Sequence, residues 1–285
     1  MNKLEDYQCT RIIKFSHGWS PTATRINDWD RSVNPRCPNC KRTDRLPSPY
    51  DETEDHILRC PHPVLLEARL TSLAKLECTL DFLDTPKDVS TALLFGITSW
   101  FDNERYNGEE PPISWPPPNF PYHPQHQELI HQAFEHQSEI GWDEFLRGSI
   151  SNKWGPIIQQ YYRNMNLGAR RNCTTWEVQT IHATWNIFLN TWQARNNLLH
   201  GANDTENKAI CLLNMDQQIR NAYRLDQNQV APIHQGLFTS LTDTLNLNFN
   251  TKISWLHSIR SAKSAWINLL HQDAQDAAGT LANPP

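Results

Sequence analysis

Between Thr174 and Gly201 the apolar side chains keep helical time. Ile181, Trp185, Phe188, Trp192, Arg195 and Leu199 are separated by 4, 3, 4, 3 and 4 residues. That is one continuous stripe of a long helix, which Gly201 stops. Similar stripes predict helices along most of the chain. LEDYQCTRIIKFSHG, residues 4–18, ends at Gly18 and is followed by a polar turn at Ser20-Pro21. Pro63 can open a helix with Leu66, Leu70, Leu73 and Leu76 near one face, and Thr85-Pro86 begins another through Val89, Leu93, Leu94, Ile97 and Trp100. HPQHQELIHQAFEHQSEIG and WDEFLRG follow, and Ser151 is the expected N-cap of NKWGPIIQQYYRNM. Asn203-Asp204-Thr205 caps a helix through Ile210, Leu213, Ile219 and Tyr223, and a last one holds Ile253, Leu256, Ile259, Trp266, Leu269 and Leu270. No β alternation and no internal repeat is visible. The expected fold is all-α, a small N-terminal subdomain followed by a helical bundle.

The pattern breaks once. Residues 111–124, PPISWPPPNFPYHP, hold seven prolines in fourteen positions. No helix survives that density, so the stretch is a stiff linker or a packed strap. The expected organisation is an N-terminal subdomain over 1–62, a helical extension over 63–110, a proline-rich linker over 111–124 and a helical domain over 125–285.

Composition sharpens this only in places. Eleven tryptophans in 285 residues argue against a disordered chain. The net charge of −5 excludes a global basic field, but residues 1–63 carry +1, 64–150 carry −9 and 151–285 carry +3. With no apolar leader and no run of about 18 apolar residues, neither secretion nor membrane insertion is expected. The expectation is an intracellular protein, cytoplasmic or nuclear. Seven cysteines, an odd number, are then thiols rather than a disulfide framework.

Four residues carry the strongest chemistry. Cys37-x2-Cys40-x15-His56-x3-Cys60 pairs a two-thiol knuckle with a His and a Cys one helical turn apart. Four such ligands fit the tetrahedral corners of a structural Zn²⁺ and leave no open position for catalysis, so residues 1–62 are expected to be a zinc-binding, zinc-stapled subdomain of the all-α fold. Asp51-x-x-Glu54 reads as a capping box for the helix that bears His56. Arg36, Lys41, Arg42 and Arg45 surround the site, could offset its negative charge, and are the candidate contacts to RNA or DNA.

The stretch Glu52-Thr53-Glu54-Asp55-His56-Ile57-Leu58-Arg59-Cys60 behind a Cys-Pro-x-Cys knuckle resembles the zinc-binding segment that follows the polymerase in non-LTR retrotransposon reverse transcriptases. His17-Gly18-x-x-Pro21-Thr22 and Trp192-x-x-Arg195-Asn196 are similar to flanking segments of such reading frames. The likeness covers residues 11–62 and, more loosely, 141–201. It implies a retroelement-derived zinc-binding protein that contacts nucleic acid. A polymerase needs paired metal-binding aspartates, and the chain has no Asp-Asp dipeptide. The expectation is a detached or decayed C-terminal piece without polymerase activity.

Two other readings stay open. One is a scaffold whose only ligand is zinc. The other is a metal-independent RNase, because Arg195-Asn196-x-x-x-His200 fits a signature of HEPN-type RNases, with His200 as acid/base and Arg195 on the phosphate. His123, His126, His131 and His136 are expected on a solvated face rather than at a metal. So is the small patch Arg163, Arg170 and Arg171. Trp176, Trp185 and Trp192 are expected in the core.

Overall fold

A computed structural model describes residues 5–40, 50–102, 113, 115, 127–168 and 171–282. Among these the protein is helical with no strand, only an isolated antiparallel bridge between Arg36 and Asp51. The helices are α1 (Asp6–Ser16), α2 (Ala23–Trp29), α3 (Glu54–Arg59), α4 (Pro63–Phe82), α5 (Lys87–Asp102), α6 (Gln127–Ile140), α7 (Trp142–Arg147), α8 (Trp154–Asn164), α9 (Cys173–His200), α10 (Asp204–Asn221), α11 (Leu241–Leu245) and α12 (Phe249–Ala282). None is long and apolar enough to cross a membrane.

The chain divides into two compact units, Met1–Asn196 and Asn197–Pro285, with the division in the last turns of α9. The boundaries read from the sequence at 62, 110 and 124 fall inside the first unit. There one core takes in Ile12 and Phe15 of α1, Ile57 and Leu58 of α3, Leu76 of α4, Trp100 of α5, Phe134 of α6, Trp154 of α8 and Trp176, Phe188 and Trp192 of α9. Trp115 of the proline-rich stretch also packs in it, its ring 5.6 Å from Phe95 and 5.5 Å from Phe134. The rest of 111–124, apart from Ile113, lies outside the described residues.

Local chemistry explains the helix ends. Thr22, Thr53 and Asn203 each accept the backbone N–H three residues on, which satisfies a donor the helix leaves open. Pro63 stands in the first turn of α4, and Gly201 after α9 has φ 86°, a conformation that favours glycine.

Three expectations change. The cap of α3 is Thr53, not an Asp51–Glu54 box; Asp51 pairs with Arg36 and Glu54 accepts the N–H of Ser20. Helix α8 begins at Trp154 rather than after Ser151, whose hydroxyl accepts the N–H of Lys153 and meets His136 Nδ1 at 2.8 Å. On α4 the buried face is Leu65, Arg69, Ser72, Leu73, Leu76 and Leu80, while Leu66 and Leu70 are exposed. Apolar residues lie on both sides of α4, so spacing alone does not select the buried one.

In the second unit Met215 and Ile219 of α10 pack with Leu256 of α12. Tyr223 stacks on Trp255 at 5.6 Å, beside a small cluster of Ala222, Val230, Phe238, Ile259 and Ala262.

Candidate metal centre

The four predicted ligands converge. One ligand atom from each of Cys37, Cys40, His56 and Cys60 lies within 4.8 Å of all the others. Cys40 Sγ stands 3.2 Å from His56 Nε2 and 3.3 Å from Cys60 Sγ. Metal–ligand bonds of about 2.0–2.3 Å at tetrahedral angles give edges of about 3.3–3.8 Å, so the group could hold a metal ion. Cys37 and Cys60 are buried, and Cys40 and His56 half-buried.

Backbone pairing builds the site. The Cys37 N–H donates to the Tyr50 carbonyl at 2.9 Å and the Glu52 N–H to the Pro35 carbonyl at 2.8 Å. These bonds set the knuckle beside the start of α3, which carries His56 one turn before Cys60. The Tyr50 ring stacks on His56 with centroids 5.2 Å apart. From α4, buried Arg69 donates to the carbonyls of Leu58 and Cys60 at 2.6 and 3.0 Å, closing the open end of α3 with a cation.

The thiols answer to one another. Hydrogen bonds from Cys40 and Cys60 hold Cys37 far below its ordinary value. Hydrogen bonding with Cys37 pushes Cys40 well up and Cys60 to about 11. Crowded together, the three thiols favour a single negative charge. A divalent cation would release the remaining protons, since metal binds the thiolate.

A second layer of contacts ties the centre to the core. Glu52 is fully buried, and its carboxylate takes two hydrogen bonds from Arg195, at 3.0 and 2.6 Å, and one from the Ala23 N–H at 2.8 Å. Glu54 accepts the Ser20 N–H at 2.8 Å, and Arg147 reaches Asp55 at 2.9 Å. Burial pushes the Glu54 carboxyl up, against hydrogen bonds from Ser20 and the charge of Arg147. Spacing marks Arg195 for the α9 stripe and for a phosphate, and Glu54 for a helix cap, but pairs neither with this site, and it does not single out Arg147, the partner of Asp55. Their one signal is the density of carboxylates in Glu52-Thr53-Glu54-Asp55 around a small helix.

The remaining candidates lie elsewhere. Arg36 forms a half-exposed ion pair with Asp51 at 3.2 Å. Lys41, Arg42 and Arg45 lie outside the described residues, as do His123, His126 and Arg170. Arg195 is committed to Glu52 and packs over the Trp192 ring, and His200 is exposed. His131 pairs with Glu135 at 3.1 Å. Arg171 pairs with Asp84 at 2.8 Å, and Arg163 is exposed. Trp176 and Trp192 are buried and Trp185 half-buried against the core. The cysteines form no disulfide. No protein-family model, curated protein or solved structure matches the chain.

Proposed function

We propose that Cys37, Cys40, His56 and Cys60 hold a structural Zn²⁺, and that the protein is a retroelement-derived, zinc-stapled module that contacts nucleic acid weakly and runs no polymerase chemistry. The convergence of the four ligand atoms carries the metal part of this reading, and the sequence resemblance alone carries the retroelement and nucleic-acid parts. Three thiols and one imidazole at tetrahedral separations suit zinc, and four protein ligands leave no position for substrate. The three stretches on which the retroelement resemblance rests also meet: Ser20 on Glu54, and Glu52 on Arg195. That contact supports treating them as one unit.

The nucleic-acid contact falls to Arg36, Lys41, Arg42 and Arg45, next to the knuckle. Each phosphate neutralised releases counterions, so log K falls with log salt by roughly 0.7–0.9 per contact. About four cations give a slope near −3 and micromolar or weaker affinity for RNA or DNA. Titration of the purified protein with both polymers at two salt concentrations tests this. Replacing Lys41, Arg42 and Arg45 by Ala should flatten the slope without releasing zinc. No binding at low salt overturns it and leaves the second reading, a scaffold with a structural zinc alone. An RNase would need Arg195 at a phosphate, whereas its guanidinium is buried on Glu52.

A further inference from the structure

We infer that Trp19 and Trp29 form a stacking platform for the unpaired bases of a single-stranded nucleic acid. This rests on the nucleic-acid reading above and names its substrate class. Trp100, Trp115, Trp142, Trp154, Trp176 and Trp192 are buried, but Trp19 is 59% exposed and Trp29 73% exposed. Both are in the segment that leads to the knuckle: Trp19 lies four residues before α2, and Trp29 is the last residue of that helix. Large indoles held in water mark a surface that meets something else.

Charge indicates what they meet. Residues 11–40 carry five basic and two acidic side chains; Lys14 and Arg31 are exposed, and so is Arg36 within its ion pair to Asp51. The Arg25 guanidinium sits 5.8 Å from the Trp29 centroid, and the His17 ring 5.4 Å from that of Trp19. Aromatic rings beside cations are the elements of single-strand binding: rings take base faces, cations follow phosphates. A duplex offers no such faces, since its bases are already stacked. Exposed Asp28 and Asp30 flank Trp29 and weaken the local pull on phosphate. Stacking therefore supplies affinity there, while cations set the salt slope.

The test is fluorescence anisotropy with labelled oligo(dT), oligo(U) and a duplex of equal length, at two salt concentrations. The wild type should prefer the single strands. W29A should lose about tenfold in affinity and W19A/W29A more, with the salt slope unchanged. W29F should keep most of the binding and W29L should not; both retain bulk, so the comparison holds even if removing the indoles disturbs α2. Overturning results are a double variant that binds like the wild type, equal loss in W29F and W29L, or a preference for duplex. In each of these the broader nucleic-acid reading survives. A wild type that binds no polymer even at low salt defeats both, and would hand the tryptophans to a protein partner.

Discussion

Glu52 and Arg195, 143 residues apart in the chain, meet as a two-point ion pair away from water. The pair joins the segment that bears the metal ligands to the longest stripe of the core. It also terminates a stack of rings. Arg195 lies over Trp192, Trp192 beside Phe188, Phe188 face to face with Phe15 at 3.8 Å, and Phe15 beneath Arg147. Arg147 in turn holds Asp55. The two cations at the ends of this stack therefore serve the two ends of one acidic tetrapeptide, Glu52 to Asp55.

A buried carboxylate stripped of its cation is costly. Arg195→Met should destabilise the first unit by about 3–5 kcal/mol, because Glu52 would keep only a backbone donor. Combining it with Glu52→Gln should cost less than the sum of the two changes, since the second removes the stranded charge. Urea unfolding of the four proteins measures this cycle; simple additivity would contradict the pairing. His200→Ala, at an exposed helix end, should change stability by less than about 0.5 kcal/mol.

Tyr162 gives a pH signature. Its hydroxyl donates to the Leu83 carbonyl, and burial pushes its ionisation up from 10.0 to about 12. The folded protein therefore holds this proton after the unfolded chain has released it. The contribution is complete below pH 10 and is lost as pH rises towards 12. Stability should fall across that window, and Tyr162→Phe should remove part of the fall. The variant should also cost about 1–2 kcal/mol at neutral pH, because the carbonyl loses its donor. Chemical denaturation from pH 8 to 12 reads both effects.

Gly96 is a matter of space. It lies on α5 against the Trp142 indole, whose ring nitrogen is tied to Ser138 Oγ at 3.1 Å. A Cβ at position 96 would overlap that ring, which also packs against Phe134 and Phe145, so the ring or a helix must shift. Gly96→Ala should lower stability by about 1–3 kcal/mol or more, although alanine favours a helix. A thermal melt that rises would show that α5 and α7 separate freely.

Much of this molecule can be read from short intervals. The α9 stripe and the caps at Thr53 and Asn203 depend on neighbours three or four residues apart, although at Thr53 two cap signals overlap in Asp51-Glu52-Thr53-Glu54 and the wrong one is easily chosen. The metal group was legible for the same reason, being two local pairs. What joins those pieces was not. Glu52 with Arg195, Arg147 with Asp55 and Arg69 with the Cys60 carbonyl are single long-range matches, and a charged residue in one sequence looks alike whether it faces water or a buried partner. Leu66 and Leu70 show the same limit in apolar form, since α4 has leucines to spare on both sides. Short pieces such as α2, the π-turn at Ala222–Asp226 and the 3₁₀ turn at Pro232–Leu237 give too few residues for a period to emerge.

Metal removal should divide the N-terminal region rather than unfold it whole. Elemental analysis should find one zinc per chain in protein purified without chelator, and none in excess after Cys60→Ser. On the proposal of a bound zinc, the knuckle at Cys37–Cys40 has few other ties: the Cys37 N–H on the Tyr50 carbonyl and, just before it, the Glu52 N–H on the Pro35 carbonyl. Helix α3 has other ties: Ile57 and Leu58 are in the core, Arg69 closes its end, and Glu52 is clamped by Arg195. Burying two such aliphatic side chains contributes about 3–6 kcal/mol, independent of any metal. Hydrogen exchange in the Cys60→Ser protein should therefore accelerate sharply at Cys37, Asn39 and Cys40, and only modestly at Ile57 and Leu58. Equal loss along residues 36–62 would mean that the metal, rather than the core, holds α3 in place. Unchanged exchange at the knuckle would mean that the four side chains converge without needing an ion.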